Sequence, residues 1–267
     1  MCSDIELSRR IEHADALIGL EYTKAIARRY PDRGADSLPV AGGYALYGGP
    51  DSAANQVLGA ALERPLLPED VDRIEAFYAS RDATPAFELC YSVEATAREM
   101  LSYRGYHPIE ESAALVRSLE FSPSQPALHA PCVIREVTKE EADDWATVVA
   151  RGFLGDQTDI PQLAVQEIGV FRDIPDSVCL LAEIDGLTIG GASTGIADGV
   201  AAMYGYSTLH QYRGKGIQSA LIAASLARAA QRGCKLALTF TVPEGSSRRN
   251  FERRGFRFAH TRTKFGR

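Results

Sequence analysis

The stretch Tyr206-Ser-Thr-Leu-His-Gln-Tyr-Arg-Gly-Lys-Gly-Ile-Gln-Ser-Ala-Leu-Ile222 leaves the chain few paths to follow. A strand-like run ends in the basic glycine turn Arg213-Gly-Lys-Gly216, and an apolar helix begins at once. The first backbone N–H groups of a helix have no partner within it and lie at the positive end of its dipole, so they attract anions. Gly214 and Gly216 let an anion approach the main chain with no Cβ between them. Arg213 and Lys215 add formal positive charge to the same turn. A strand, glycine turn and helix in this order form a phosphate cradle.

The charge distribution agrees. The net charge is −6, yet residues 213–267 hold 13 Lys/Arg against two acids, Glu244 and Glu252. Residues 1–212 hold 16 bases against 33 acids. The basic third begins at the glycine turn, which points to a polyanionic ligand there. RNA fits poorly, because this third lacks aromatic residues interleaved with basic ones as on an exposed sheet. The acidic remainder hints at a cationic amine as a second substrate.

A second constraint is internal repetition. An offset of 150 residues lays Arg104-Gly105-Tyr106 on Arg254-Gly255-Phe256 and Ala86–Cys90 on Leu236–Phe240 without a gap. The helical pattern around Val71–Ala79 then meets Leu221–Ala229, and Gly42-Gly43 meets Gly190-Gly191 after a two-residue adjustment. Between the copies, Ser122–Pro131 holds three prolines and reads as a linker. The expected domains are 1–121, a linker at 122–131, and 132–267. At 267 residues the chain is near the size at which one core gives way to two. The offset also sets Gln211–Gln218 opposite Ala61-Leu-Glu-Arg-Pro-Leu-Leu-Pro68, which has no glycine and two prolines that cannot donate. Only the second copy is expected to keep the anion site.

Periodicity predicts a helix from about Asp4 to Arg29, with Ile11, Ala14, Ile18, Tyr22, Ala25 and Ile26 on one face. Strands are expected near 43–47 and 56–61, a helix at 69–80, a strand at 86–91, a helix at 92–103 and strands to 119. In the second copy a strand at 132–137 precedes a helix at 140–153, whose Thr138 and Glu141 have capping-box spacing. A helix follows near 161–171. Strands at 178–184, 188–196 and 200–209 are separated by Asp185-Gly186 and Asp198-Gly199, both hairpin signals. Then come a helix at 217–232, a strand at 235–242, a helix at 246–254 and a last strand at 257–264. The fold class is α+β, a mostly antiparallel sheet with flanking helices in each copy.

A dinucleotide fingerprint fails here, since Ser219 stands at the third glycine position and no Asp occurs after Asp198 to hold a ribose. No GxxxxGK[ST] is present either. The order of elements resembles instead the GNAT superfamily of acyl-CoA-dependent N-acyltransferases, over about Cys132 to Arg267. Its phosphate motif falls on Arg213-Gly-Lys-Gly-Ile-Gln218, and its second signature on Phe251-Glu-Arg-Arg-Gly-Phe256. Tandem forms with a degenerate first copy also occur in that superfamily.

The resemblance implies an acetyltransferase that uses acetyl-CoA as cosubstrate, needs no metal, and acts on the amine of a small molecule or peptide, with direct attack on the thioester. It implies a splayed strand holding the pantetheine arm around Ser207, Thr208 and Leu209, with the oxyanion on a backbone N–H near Leu209. Backbone N–H groups of Arg213, Gly214, Lys215, Gly216, Ile217 and Gln218 would take the diphosphate, with Asn250 and Phe251 contributing to the cofactor site. Two departures stand out. The last small residue of the phosphate motif is Gln218, and the tyrosine often used as general acid is Phe251. Tyr204 and Tyr206, on one face of the strand by simple alternation, are the replacement proton relays. A thiol of intrinsic pKa ~8.5 also leaves tolerably as its anion, so loss of one acid does not imply inactivity. The alternative reading is a catalytically weak or inactive CoA-binding protein.

His210 reads as an exposed turn residue and Trp145 as core. Asn250 and Ser246 read as helix-end residues. The five cysteines have no metal or disulfide spacing and read as reduced, buried hydrophobes. No apolar run reaches membrane-spanning length, and the chain opens on a charged helical pattern rather than a leader, so a cytoplasmic location is expected.

Overall fold

The periodicities become helices and strands largely where the sequence puts them. A computed structural model describes residues 4–91, 95–120, 132–155 and 159–267, and the linker at 122–131 lies outside them. In chain order the elements are α1 (Asp4–Arg29), β1 (Asp36–Val40), β2 (Gly43–Tyr47), β3 (Gln56–Leu58), α2 (Pro68–Ala79), β4 (Phe87–Cys90), α3 (Ala95–Tyr103) and β5 (His107–Ser118). Then follow β6 (Val133–Glu136), α4 (Ala142–Leu154), α5 (Gln162–Val170), β7 (Val178–Ile184), β8 (Leu187–Ala197) and β9 (Val200–Thr208). The last are α6 (Ile217–Gln231), β10 (Leu236–Thr241), α7 (Ser246–Arg253) and β11 (Arg257–Gly266). The sequence reading places no strand at β1, which contains Pro39. The structure forms one there as an edge strand, where a missing N–H costs no ladder bond.

Contacts divide the chain into two compact units. The first comprises Met1–Ala114, Thr241–Pro243 and Phe258–Arg267, and the second comprises Leu115–Phe240 and Glu244–Arg257. Both repeat one plan. In the first, β1, β2 and β3 pair antiparallel and β3 pairs β4 in parallel. In the second, β6 to β9 pair antiparallel and β9 pairs β10 in parallel. The helix between the parallel strands is α2 in one and α6 in the other. The repeat persists in single hydrogen bonds at the ends of α3 and α7. Arg104, Gly105 and Tyr106 donate to Leu101 O, Ser102 O and Leu101 O, and Arg254, Gly255 and Phe256 donate to Phe251 O, Glu252 O and Phe251 O. Both glycines take the left-handed conformation that such a helix end needs, φ 86° and 81°.

The units are not the successive domains that the linker suggested. β11 pairs antiparallel with β4, Arg262 opposite Cys90 and Phe265 opposite Phe87, so the last strand of the chain completes the first unit. There it meets α1. Ser8, Glu12 and Asp15 of α1 are buried together with His260 and Arg262 of β11. Arg262 NH2 donates to Glu12 Oε2 and to Asp15 Oδ2, each at 2.7 Å. His260 Nε2 lies 2.6 Å from Glu12 Oε1, and His260 Nδ1 lies 3.1 Å from Ser8 Oγ. Burial is the largest influence on the Glu12 carboxyl and would raise its pKa, but Arg262 and His260 together hold it below the usual value.

In the second unit α6 buries Ile217 and Leu221 against Val178, Leu180, Ile189 and Ala192 of β7 and β8. Each aliphatic side chain so buried stabilises the fold by about 1.5–3 kcal/mol. On the opposite face α4 packs Trp145, Ala146 and Val149 against Cys179 and Leu181. Trp145 is core, as read, and its Nε1–H donates to Leu180 O at 2.9 Å. Of the capping-box spacing only one contact forms: the Glu141 carboxylate accepts from Thr138 N at 3.0 Å, while α4 begins at Ala142 with Glu141 as its N-cap and no side-chain cap. Arg135 pairs with the same carboxylate and holds its pKa down at about 2.

Candidate cofactor-binding site

The site arises where two neighbouring strands part. β10 and β9 pair from Leu236↔Val200 to Leu238↔Ala202 and no further. Thr239 Oγ1 closes the fork by donating to Met203 O at 3.1 Å. Beyond it the β10-facing edge of β9 is unpaired by strand. The other edge stays paired to β8, but its register shifts between Gly191↔Ser207 and Ser193↔Tyr204. One residue of β8 therefore faces two of β9, a bulge made possible by Gly205 at φ 65°.

That bulge overturns the expectation that Tyr204 and Tyr206 share a face. Tyr204 turns towards Phe171, with ring centroids 5.4 Å apart, beneath the α4 and α5 face. Tyr206 turns to the α6 face and meets Phe251 edge-on at 5.4 Å. The Tyr206 hydroxyl is buried beside Thr194 and Ser225 without completing a hydrogen bond to either, and burial pushes its pKa up. Tyr206 nevertheless also lines the cleft described below.

Alternation along β9 decides which backbone groups are free. Leu209 N donates to Ile189 O at 2.9 Å, so its N–H is spent and is not the oxyanion donor the sequence suggested. The N–H groups of Tyr206 and Thr208 turn the other way, to the edge that β10 has left. Ser207 looks inward and donates to Val149 O at 2.8 Å; the Cβ that an alanine at Gly152 would add lies 1.8 Å from its Oγ. The Thr208 hydroxyl is buried and unpartnered.

The glycine turn lies next along the chain. Gly214 and Gly216 have φ 75° and 83°, and Gly216 is the N-cap of α6 with no side chain capping the helix. Gly214 and Lys215 are exposed, so the first N–H groups of α6 stay open to a ligand. Arg213 does not reach outward as a phosphate ligand would. Its NH2 donates to Gly152 O at 2.6 Å and its Nε to Thr208 O at 3.3 Å, tying the end of α4 to the turn. The Lys215 ammonium sits 4.9 Å from the ring centre of Tyr212.

These pieces enclose a cleft of about 600 Å³ within the second unit. Of the residues expected to hold the cofactor, Ser207, Thr208, Arg213, Gly214, Gly216, Ile217, Gln218 and Asn250 line it. Leu209, Lys215 and Phe251 do not. Phe251 is buried between the rings of Tyr206 and Phe256. Sequence reasoning did not single out Gly152, Phe153, Tyr212, Ser219 or Ser247, which also line the cleft, as do Tyr206, Ser246 and Arg253. Arg253 is one of three arginines on α7; Gly152 and Phe153 reach the cleft only through the packing of α4. No carboxylate or imidazole occurs among the described residues lining it. An uncapped helix N-terminus, an unpaired strand edge and a lining without acids suit a diphosphate carried on an extended polar arm.

Residues 142–256 match the acetyltransferase (GNAT) family model. This segment is similar to GNAT domains. The fold as a whole is similar to a GCN5-related N-acetyltransferase from Kribbella flavida, with a TM-score of 0.67 at 18% identity over 94% of each chain. A tandem GNAT protein from the clavulanic acid biosynthesis pathway aligns over 79% of this chain and 73% of its own, with a TM-score of 0.60 and 13% identity. A GCN5-related N-acetyltransferase from Sphaerobacter thermophilus aligns over 73% of this chain and 65% of its own, with a TM-score of 0.57 and 17% identity. No curated protein sequence matches the chain. The match makes acyl transfer the class of chemistry to consider. Among the described residues no helix is long and apolar enough to cross a membrane.

Proposed function

We propose that the protein transfers an acetyl group from acetyl-CoA to the amine of a small molecule or peptide, in a ternary complex. The observation that carries this reading is the open N-terminus of α6 beside the edge of β9 that β10 has left. Acetyl-CoA would supply an activated acyl group and a thiolate leaving group. The N–H groups of Ile217 and Gln218, with those of the glycine turn, would hold the diphosphate. The Tyr206 and Thr208 N–H groups would receive the arm and the carbonyl oxygen, and the Thr208 hydroxyl would gain a partner. With no base in the cleft lining, the amine loses its proton to water or arrives neutral.

Binding is tested by melting temperature. At a hundredfold excess over Kd, acetyl-CoA should raise it by about 5–10 °C, and NAD and ATP should not. Absence of a shift at millimolar acetyl-CoA would reject the reading. A second reading, a CoA-binding protein with little turnover, is favoured by Phe251 at the usual tyrosine position and by the buried Tyr206 hydroxyl. Single-turnover acyl transfer to any member of an amine panel excludes it.

A further inference from the structure

One wall of the cleft is built from four side chains that form a relay with a fixed direction. Arg253 NH1 donates to Asn250 Oδ1 at 3.0 Å, Asn250 Nδ2 donates to Gln218 Oε1, and Gln218 Nε2 lies 3.4 Å from Ser247 Oγ. All four residues line the cleft. The direction is dictated by chemistry, because a guanidinium has donors only. The Asn250 oxygen must turn to Arg253, its amide nitrogen must then face Gln218, and the Gln218 oxygen must turn to Asn250. Both amide oxygens accept from within the protein. What remains to face the cleft is a set of donors: the second N–H of Asn250, the Gln218 amide hydrogens and the other Arg253 N–H groups.

The arginine matters for a second reason. On α7, Arg248 pairs with Glu252 at 2.8 Å and Arg249 donates to Glu244 O. Arg253 has no carboxylate within ion-pair distance among the described residues, and the cleft lining holds none to neutralise it. A guanidinium in that setting matches a phosphate. The relay starts at Gln218, in the first turn of α6, and runs to α7, so its cationic end is displaced from the helix N-terminus by two side-chain hydrogen bonds.

From this geometry we infer that the Gln218–Asn250–Arg253 wall is a subsite for a phosphate monoester that the ligand carries in addition to its diphosphate, so that the cleft selects CoA over dephospho-CoA. The inference rests on the CoA reading above and assigns a task to Gln218, where a small residue was expected. Gln218 is a positioning residue in this account: it orients Asn250, which holds Arg253.

The test compares CoA with dephospho-CoA by isothermal titration calorimetry on the full chain. The intact protein should prefer CoA by about tenfold, the worth of one charge-assisted contact. Arg253→Gln should bring the ratio close to one, and Gln218→Ala should lower it severalfold. The preference should fall as salt rises from 50 to 300 mM. In ³¹P spectra, the monoester resonance of bound CoA should titrate at lower pH with intact protein than with Arg253→Gln. Equal affinity of the intact protein for both ligands overturns the subsite and leaves the CoA reading standing. An unchanged ratio in Arg253→Gln with unaltered melting temperature overturns it as well. Failure to bind either ligand rejects the CoA reading itself.

Discussion

The starts of α2 and α6 occupy the same place in the two copies, and they satisfy the same physical demand in opposite ways. Both helices present unpaired N–H groups at a positive dipole end. At α2 the chain supplies its own anion. The Asp70 carboxylate accepts from Leu67 N at 3.0 Å and receives two hydrogen bonds from Arg64, at 2.6 and 2.8 Å. Pro68, the first residue of the helix, has no N–H to offer. At α6 no side chain caps the helix, and two glycines keep the approach clear. A helix start closed by an acid is a structural joint, whereas one left bare invites a ligand. The same division extends inward: the first unit neutralises Glu12 and Asp15 with its own Arg262, while the cleft of the second unit gives Arg253 no acid among the described residues.

The largest expected effect lies in the closed unit. Arg262→Ala strands two buried carboxylates, and removal of one partner from such a set typically costs about 3–5 kcal/mol. Chemical denaturation should show that loss, and adding Glu12→Gln should recover part of it. A cost under 1 kcal/mol would mean the charges are hydrated. Next, Gly216→Val forces a β-branched residue into φ 83°, a strain of about 1–3 kcal/mol. Calorimetry should find acetyl-CoA binding weaker by about 10–100-fold; unchanged affinity would remove the glycine turn from the site.

Smaller effects probe the α2 joint. Asp70→Ala should cost about 1 kcal/mol, the usual worth of a cap, with acetyl-CoA affinity unaltered. It should also make the melting temperature newly sensitive to phosphate, since it frees the Leu67 N–H beside Arg64. If phosphate does nothing more than in the parent, the two helix starts are not equivalent. The finest probe is pH. The Arg64 hydrogen bonds hold the Asp70 pKa below its ordinary value. Its contribution is therefore present above the unfolded pKa of about 3.9 and lost as pH falls through the folded one. Asp70→Asn should flatten the stability profile below pH 4; an unchanged slope would assign acid sensitivity to other carboxylates.

What the sequence disclosed follows from the range of the forces involved. The α6 turn was legible because Arg213, Gly214, Lys215 and Gly216 are adjacent, and the repeat was legible because both copies keep the same glycine helix end. The tyrosine faces were misread, since alternation assumes a regular strand and Gly205 inserts a bulge that reverses everything after it. Glu12 and Asp15 stand on a face that periodicity marks as core, and nothing local explains them. Their partner Arg262 lies about 250 residues away, and only the pairing of β11 with β4 brings it near. Arg213 looked like a ligand for phosphate because proximity in sequence cannot reveal that Gly152 O lies within its reach.

The placement of β11 also sets a schedule for biosynthesis. The edge of β4 emerges from the ribosome some 170 residues before its partner strand, and the acids of α1 about 250 residues before Arg262, delays of about 10–50 s at ordinary elongation rates. During that interval the leading unit carries uncompensated carboxylates and an open sheet edge, both hazards for a nascent chain. Loss of the final ten residues should therefore cripple the half made first, while the half made last keeps its cleft.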